Sequence, residues 1–181
     1  MARLDGLGAG EARRFRTGRM ALDLVHTAGD REHGRVELLS GPAELGRWLG
    51  VVTGLDPIVA TGVDIDPVHA LRHAVRRAAA RTMAKTATSV VDRLALNAAA
   101  AITPPVPELR ADGAAAVRGV VRVPEVLSLL ARDAIELFGG PLAAHVRMCG
   151  GCGLLYVEPS PGGCSPRRCA GRVRVSRLRS A

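Results

Sequence analysis

Every cysteine of this 181-residue chain falls between positions 149 and 169, and the 148 residues before them contain none. The spacing is Cys149-x2-Cys152-x11-Cys164-x4-Cys169. Two cysteines two residues apart on a turn rich in glycine, here Gly150, Gly151 and Gly153, point both sulfurs to one side, where backbone N–H groups stabilise the thiolates. A second pair after a short linker completes the tetrahedron that structural Zn²⁺ prefers, with sulfur ligands at about 2.3 Å. Cys149, Cys152, Cys164 and Cys169 are therefore the expected ligands of one zinc ion. The competing readings are metal-free thiols and a redox pair at Cys149 and Cys152. A redox pair belongs between a strand and a helix start, and two intervening glycines suit a turn better. His145 is the one nearby side chain able to replace a thiolate. His69 and His73, four residues apart, have no evident third ligand and read as ordinary helix-surface histidines.

A segment whose only sizeable apolar run is Leu154, Leu155, Tyr156 and Val157 cannot offset its own ordering entropy. Metal binding supplies what is missing, since structural zinc contributes on the order of 10 kcal/mol to the folding of small fingers. Four cysteines also close the coordination sphere, whereas a catalytic zinc keeps a position open for water. The chain shows no nucleophile elbow, no P-loop and no glycosidase-type acid pair, so an enzyme is not expected.

The charge is as unevenly placed as the sulfur. The net formal charge is +8, and Lys85 is the only lysine. From Arg147 to Ala181 there are seven arginines against Glu158 alone, so six of the eight net charges lie in the last 35 residues. A one-ended basic segment suits a polyanion partner and equally a solvated tail. In the first reading Arg167, Arg168, Arg172, Arg174, Arg177 and Arg179 reach the phosphates of duplex DNA. In the second, the zinc is purely structural, the module binds proteins and the arginines keep it in solution. RNA is the weaker polyanion, because single-strand recognition leans on aromatic stacking and the basic region offers only Tyr156. Residues 168–179 fit either a helix or a strand, because RVRVSRLR alternates with period two.

The first 140 residues read as mainly helical. MALDLVHT at 20–27 is too short to assign between strand and helix. Residues 41–50 form a helix with Ser40 or Gly41 as cap, Pro42 in the first turn and Leu45, Trp48 and Leu49 on one face. Asp66-Pro67 starts a long helix to about Met83, with Val68, Leu71, Val75, Ala79 and Met83 inward and Arg72, Arg76, Arg77 and Arg81 on other faces. A third helix over 88–101 places Val91, Leu94, Ala98 and Ala101 inward. Asp112-Gly113 marks a β-hairpin within 106–123, and Pro124 opens a helix striped by Val126, Leu130, Ala134 and Leu137 that stops at Gly139-Gly140. The expected fold class is mainly α (α+β): a helical domain over 1–143 with a small β-hairpin, then a four-cysteine zinc finger with a basic tail over 144–181. No stretch is apolar and long enough to span a membrane, and the polar N-terminus does not resemble a signal peptide, so a cytoplasmic location with reduced thiols is expected. A polar pocket over Asp23, His26 and Trp48 competes with plain core packing there. The reading leaves room for a small-molecule ligand in the helical domain and for a homodimer.

At these residues the chain resembles the CGNR zinc-finger family, whose members join a helical ABATE domain to a C-terminal finger. MALDLVHT resembles that domain's opening motif, ELLSGPAELGRWL at 37–49 its next segment, VRMCGGCGLLYVEPS at 146–160 the first half of the finger, and CSPRRCAGR at 164–172 the second. The resemblance implies a stress-related transcription regulator that binds zinc and DNA. His26 stands where the family has Asn, and Ala170-Gly171 where it has Gly-Asn.

Overall fold

The structure, a computed structural model, describes residues 17–31, 34–150 and 153–158. It is mainly helical with a few small strands. The ambiguous opening is a helix, α1 (Met20–Val25), with Ala21, Leu22, Leu24 and Val25 buried. Six residues cannot sustain a helix alone. A long later helix, α5 (Val123–Gly139), supplies the missing cap: Ala21 N–H donates to Asp133 Oδ2 at 2.8 Å, and Arg19 Nε pairs with Asp133 Oδ1 at 2.9 Å. Next come β1 (Ala28–Arg31) and β2 (Gly34–Glu37), an antiparallel pair with Ala28 opposite Glu37. Neither strand carries a sequence pattern long enough to mark it.

Helix α2 (Pro42–Thr53) follows its signals: Gly41 is the cap, Pro42 the first residue, and Leu45, Trp48 and Leu49 are buried. Gly54 ends it at φ +75°, a backbone region glycine enters without penalty. Helix α3 (Ile65–Met83) begins slightly earlier than expected. A 3₁₀ turn over Gly62–Asp64, closed by Asp64 on the Thr61 N–H at 2.7 Å, precedes it, which leaves Asp66 and Pro67 inside the first turn. Val68, Leu71, Val75 and Ala79 are buried as expected and Met83 is half-buried.

Two expectations about side-chain direction are overturned. Arg72 does not lie on an outer face: only 4% of it is exposed, and its guanidinium grips Glu37 through both oxygens and donates to Thr27 Oγ1 at 3.0 Å. An ion pair with a paired, hydrogen-bonded partner is tolerated inside, and this one ties β2 to α3. The third helix, α4 (Val90–Ala100), is turned over: Asp92 and Leu96 are buried, while Val91 and Leu94 are exposed, with Ala98 and Ala101 beside them. Polar groups set its phase. Ser89 caps the helix by accepting the Asp92 N–H at 3.1 Å, and the Asp92 carboxylate turns in to Ser89 Oγ at 2.7 Å and Arg77 Nε at 2.8 Å. The other end is fixed by α5, where Ser128 Oγ donates to Ile102 O at 2.6 Å and Arg132 Nε to Ala100 O at 3.0 Å.

Strands β4 (Pro107–Leu109) and β5 (Ala115–Val117) form the expected hairpin, with Gly113 at φ +81° in its turn. Val121 leaves it, because Gly119, at φ +75°, redirects the chain. Val121 and Arg122 become β6, parallel to β3 (Ile58–Val59). Helix α5 buries Val126, Leu130, Ala134 and Leu137 as its stripe foretold, and Glu125 accepts the Arg122 N–H at 3.0 Å. No helix among the described residues is long and apolar enough to cross a membrane.

Candidate metal centre

Beyond α5, a 3₁₀ turn over Pro141–His145 leads into β7 (Val146–Met148), which pairs antiparallel with β8 (Leu155–Val157). The register sets Val146 opposite Val157 and Met148 opposite Leu155. Backbone bonds prolong the ladder at both ends. Glu158 N–H donates to His145 O at 2.9 Å, and Cys149 N–H donates to Leu154 O at 2.9 Å. Gly153 N–H then donates back to Cys149 O at 2.9 Å, with Gly153 at φ +69°. That closing residue requires a left-handed backbone, which explains glycine directly after Cys152. The result is a tight loop whose first residue, Cys149, is 1% exposed.

The hairpin is anchored on the helical body. Val146, Leu155 and Val157 are buried and belong to the same apolar cluster as α1, α3 and α5. His26, the buried residue that follows α1, adds a directional bond: Leu155 N–H donates to His26 Nε2 at 2.9 Å. An accepting Nε2 carries no proton, so the neutral ring holds its hydrogen on Nδ1. On the other side of the hairpin Arg147 Nε lies 3.5 Å from Glu158 Oε2.

Of the four expected zinc ligands, the structure places Cys149; Cys152, Cys164 and Cys169 lie outside the described residues, as do Arg167, Arg168, Arg172, Arg174, Arg177 and Arg179. Among the described residues, no three His, Cys, Asp or Glu side chains come together in a way that would hold a metal. His69 Nε2 instead sits 3.2 Å from Leu39 O and 3.6 Å from Glu37 Oε2, His73 is exposed, and the exposed His145 serves the hairpin through its carbonyl. The placed part fits a zinc centre: a buried cysteine at the end of the ladder, bonded through its backbone to Gly153 and Leu154.

Asp23, His26 and Trp48 are all buried. Asp23 faces Thr17, whose hydroxyl is 2.8 Å and whose N–H is 3.3 Å from Asp23 Oδ1. Burial pushes the Asp23 carboxyl up to about 7, against the pull of the two Thr17 hydrogen bonds. A surface cleft of about 1010 Å³ does not involve these three; it runs over the other stripe of α2, along Gly46, Arg47 and Gly50, and faces Pro57 and Ile58. Sequence reasoning missed the Arg72–Glu37 and Arg77–Asp92 pairs, whose partners are 35 and 15 residues apart, and the bond from His26 to Leu155. The family motif that includes position 26 was the one signal pointing to the last.

Fold and hairpin together define a class: a small helical domain that holds a cysteine-bearing β-hairpin against its core and bonds it through His26. A family model for the ABATE domain, described as "putative stress-induced transcription regulator", matches residues 18–141, and the chain belongs to that family. No curated protein matches the chain.

Proposed function

We propose that this protein is a zinc-binding transcription regulator in the cytoplasm that engages duplex DNA through its arginine-rich C-terminal end, and that it is not an enzyme. One observation carries the reading: the helical body is built to hold the Cys149 loop in place, through His26 and the buried side chains of the hairpin. These contacts fix Cys149, 1% exposed, at the end of a ladder joined to the body. Cys149, Cys152, Cys164 and Cys169 would hold the ion, and Zn²⁺, when bound, cross-links the two cysteine pairs and supplies folding free energy to the C-terminal segment. Arg167, Arg168, Arg172, Arg174, Arg177 and Arg179 follow from that anchor and neutralise phosphates. The family's description as a transcription regulator and the placement of six of the eight net charges support this partner.

Titration of fluorescent duplex DNA over a salt series tests the reading. Counterion release gives a slope of log K against log salt of about −0.9 per phosphate contacted, so six arginines predict roughly −5. Replacing Arg172, Arg174 and Arg177 by Ala should flatten it by about 2–3. Absent binding, or a slope unmoved by the triple substitution, excludes DNA contact by this segment and leaves a protein-interaction module with a structural zinc.

A further inference from the structure

The inverted helix α4 presents a surface that nothing among the described residues covers. Toward the body it buries Leu96 and the Asp92 carboxylate, with Ala99 and Ala100 half-buried. Toward solvent it shows Val90 (59% exposed), Val91 (72%) and Leu94 (60%), with Ala95, Ala98 and Ala101 exposed between them and Ile102 (41%) beyond its end. The only polar side chains exposed on the helix are Arg93 and Asn97, and at 100° per residue both fall on one flank. A helix that is apolar nearly all round is a buried helix, and this one is buried on a single side. Positions 91, 94, 98 and 101 repeat at three and four, the spacing of a seam that packs against another helix.

We infer that this face is the seam of a homodimer, covered by the same helix of a second copy across a two-fold axis. Three features select a second copy over other occupants. An isologous contact must be self-complementary, and a stripe of Val, Leu and Ala meets that condition without charge matching. In a chain of net charge +8, two copies repel wherever arginines face each other, and Arg93 is the single charge exposed on the helix. Alanines alternating with larger side chains also let two helix backbones approach closely. The copies run antiparallel, because a parallel pair would bring together the two sets of Arg81 and Lys85, which precede the α4 N-terminus; Arg81 lines the groove beside Val91. Helix dipoles favour the same arrangement.

The seam also sets the strength of the contact. A helix of 11 residues is about 16 Å long and presents several hundred Å², short of the roughly 800 Å² per partner of a standard interface. The dimer is therefore a reversible one.

Sedimentation equilibrium of the full zinc-loaded chain, from about 1 to about 200 µM, tests this. The expected mass rises from 18.9 kDa toward twice that value and stops there. Leu94→Glu and Ala98→Glu should each weaken association at least about tenfold with unchanged helical ellipticity, because both positions are exposed in the monomer. Val63→Glu, at an exposed apolar site outside the seam, should leave association as it was. A monomer at every concentration overturns the inference and leaves the chain's own C-terminal segment, with Val175 and Leu178, as the remaining cover. Association that Leu94→Glu leaves intact, or a mass that climbs past the dimer, overturns it as well. None of these results depends on DNA binding.

Discussion

His26 is the side chain on which the helical body and the cysteine hairpin meet. Its Nε2 is the acceptor for a buried backbone donor, Leu155 N–H, and an orphaned donor of that kind costs about 1–3 kcal/mol. His26→Ala should therefore speed hydrogen exchange at the Leu155 amide and hasten zinc loss to a chelator, while His26→Asn, which restores an acceptor, should recover part of both. Equal effects of the two substitutions would show that ring packing, and not the hydrogen bond, is what matters. Asp23 makes a prediction of opposite character. Its carboxyl is raised to about 7 in the fold, against 3.8 as the ordinary value, so the folded chain holds a proton that the unfolded chain has lost between those pH values. The folded state is thus favoured below about pH 4, loses that advantage as pH rises to about 7, and gains nothing further beyond. Asp23→Asn should stabilise the protein by about 2–4 kcal/mol at pH 8 and by little at pH 4, as read from urea unfolding at the two pH values. Asp23, His26 and Trp48 stood out in the sequence as polar or aromatic residues among apolar ones. What the sequence did not contain was the position of Thr17 and Leu155 in space, and those partners make Asp23 and His26 parts of the interior.

Among the elements, α2, α3 and α5 were legible and α4 was not, and the contrast has a physical cause. In α5 the residues Val126, Leu130, Ala134 and Leu137 stand against charged residues on the far side, so the apolar moment has one direction. In α4 nearly every face is apolar, so its moment could not choose, and the choice fell to Asp92, drawn inward by Ser89 and Arg77. Arg77 holds the Asp92 carboxyl below the usual carboxylate range, with Ser89 adding to the effect. Asp92→Ala removes the pair and half of the cap together. A loss of about 1–2 kcal/mol is expected, measured by thermal unfolding, and little change would mean that the inward turn of α4 rests on Leu96 alone. Arg72 escaped for a related reason. An arginine in a periodic pattern reads as surface, and only the return of Glu37 on β2 makes a buried one tolerable. On Glu37, burial raises the carboxyl, but the Arg72 hydrogen bond and the Leu39 N–H outweigh it and leave it below its usual value. Arg72→Ala should cost about 1–3 kcal/mol, since it removes the donor to the buried Thr27 hydroxyl and leaves Glu37 with the Leu39 N–H alone. Glu37→Gln, which keeps a neutral acceptor, should cost less.

At the scale of the molecule, the cysteine spacing reads as a local knuckle, and the fold shows where Cys149 sits. Val146, Leu155 and Val157 share the core of residues 21–137, so the first cysteine pair begins on the helical body itself. That junction was invisible in the sequence, because three-residue strands leave too short a periodicity to read. The second pair, Cys164 and Cys169, is joined to the body through residues 153–158. On this arrangement, chelating the metal should loosen the C-terminal segment and raise exchange at the β8 amides, with most helical ellipticity retained, because α1, α3 and α5 keep their own core. The most direct measurement is X-ray absorption at the zinc edge on purified full-length protein, with metal content determined on the same sample. One zinc per chain, bound by four sulfurs at about 2.3 Å, is the predicted result. A chain that holds no zinc, or a zinc with fewer than four sulfurs and with nitrogen or oxygen in their place, would contradict the account.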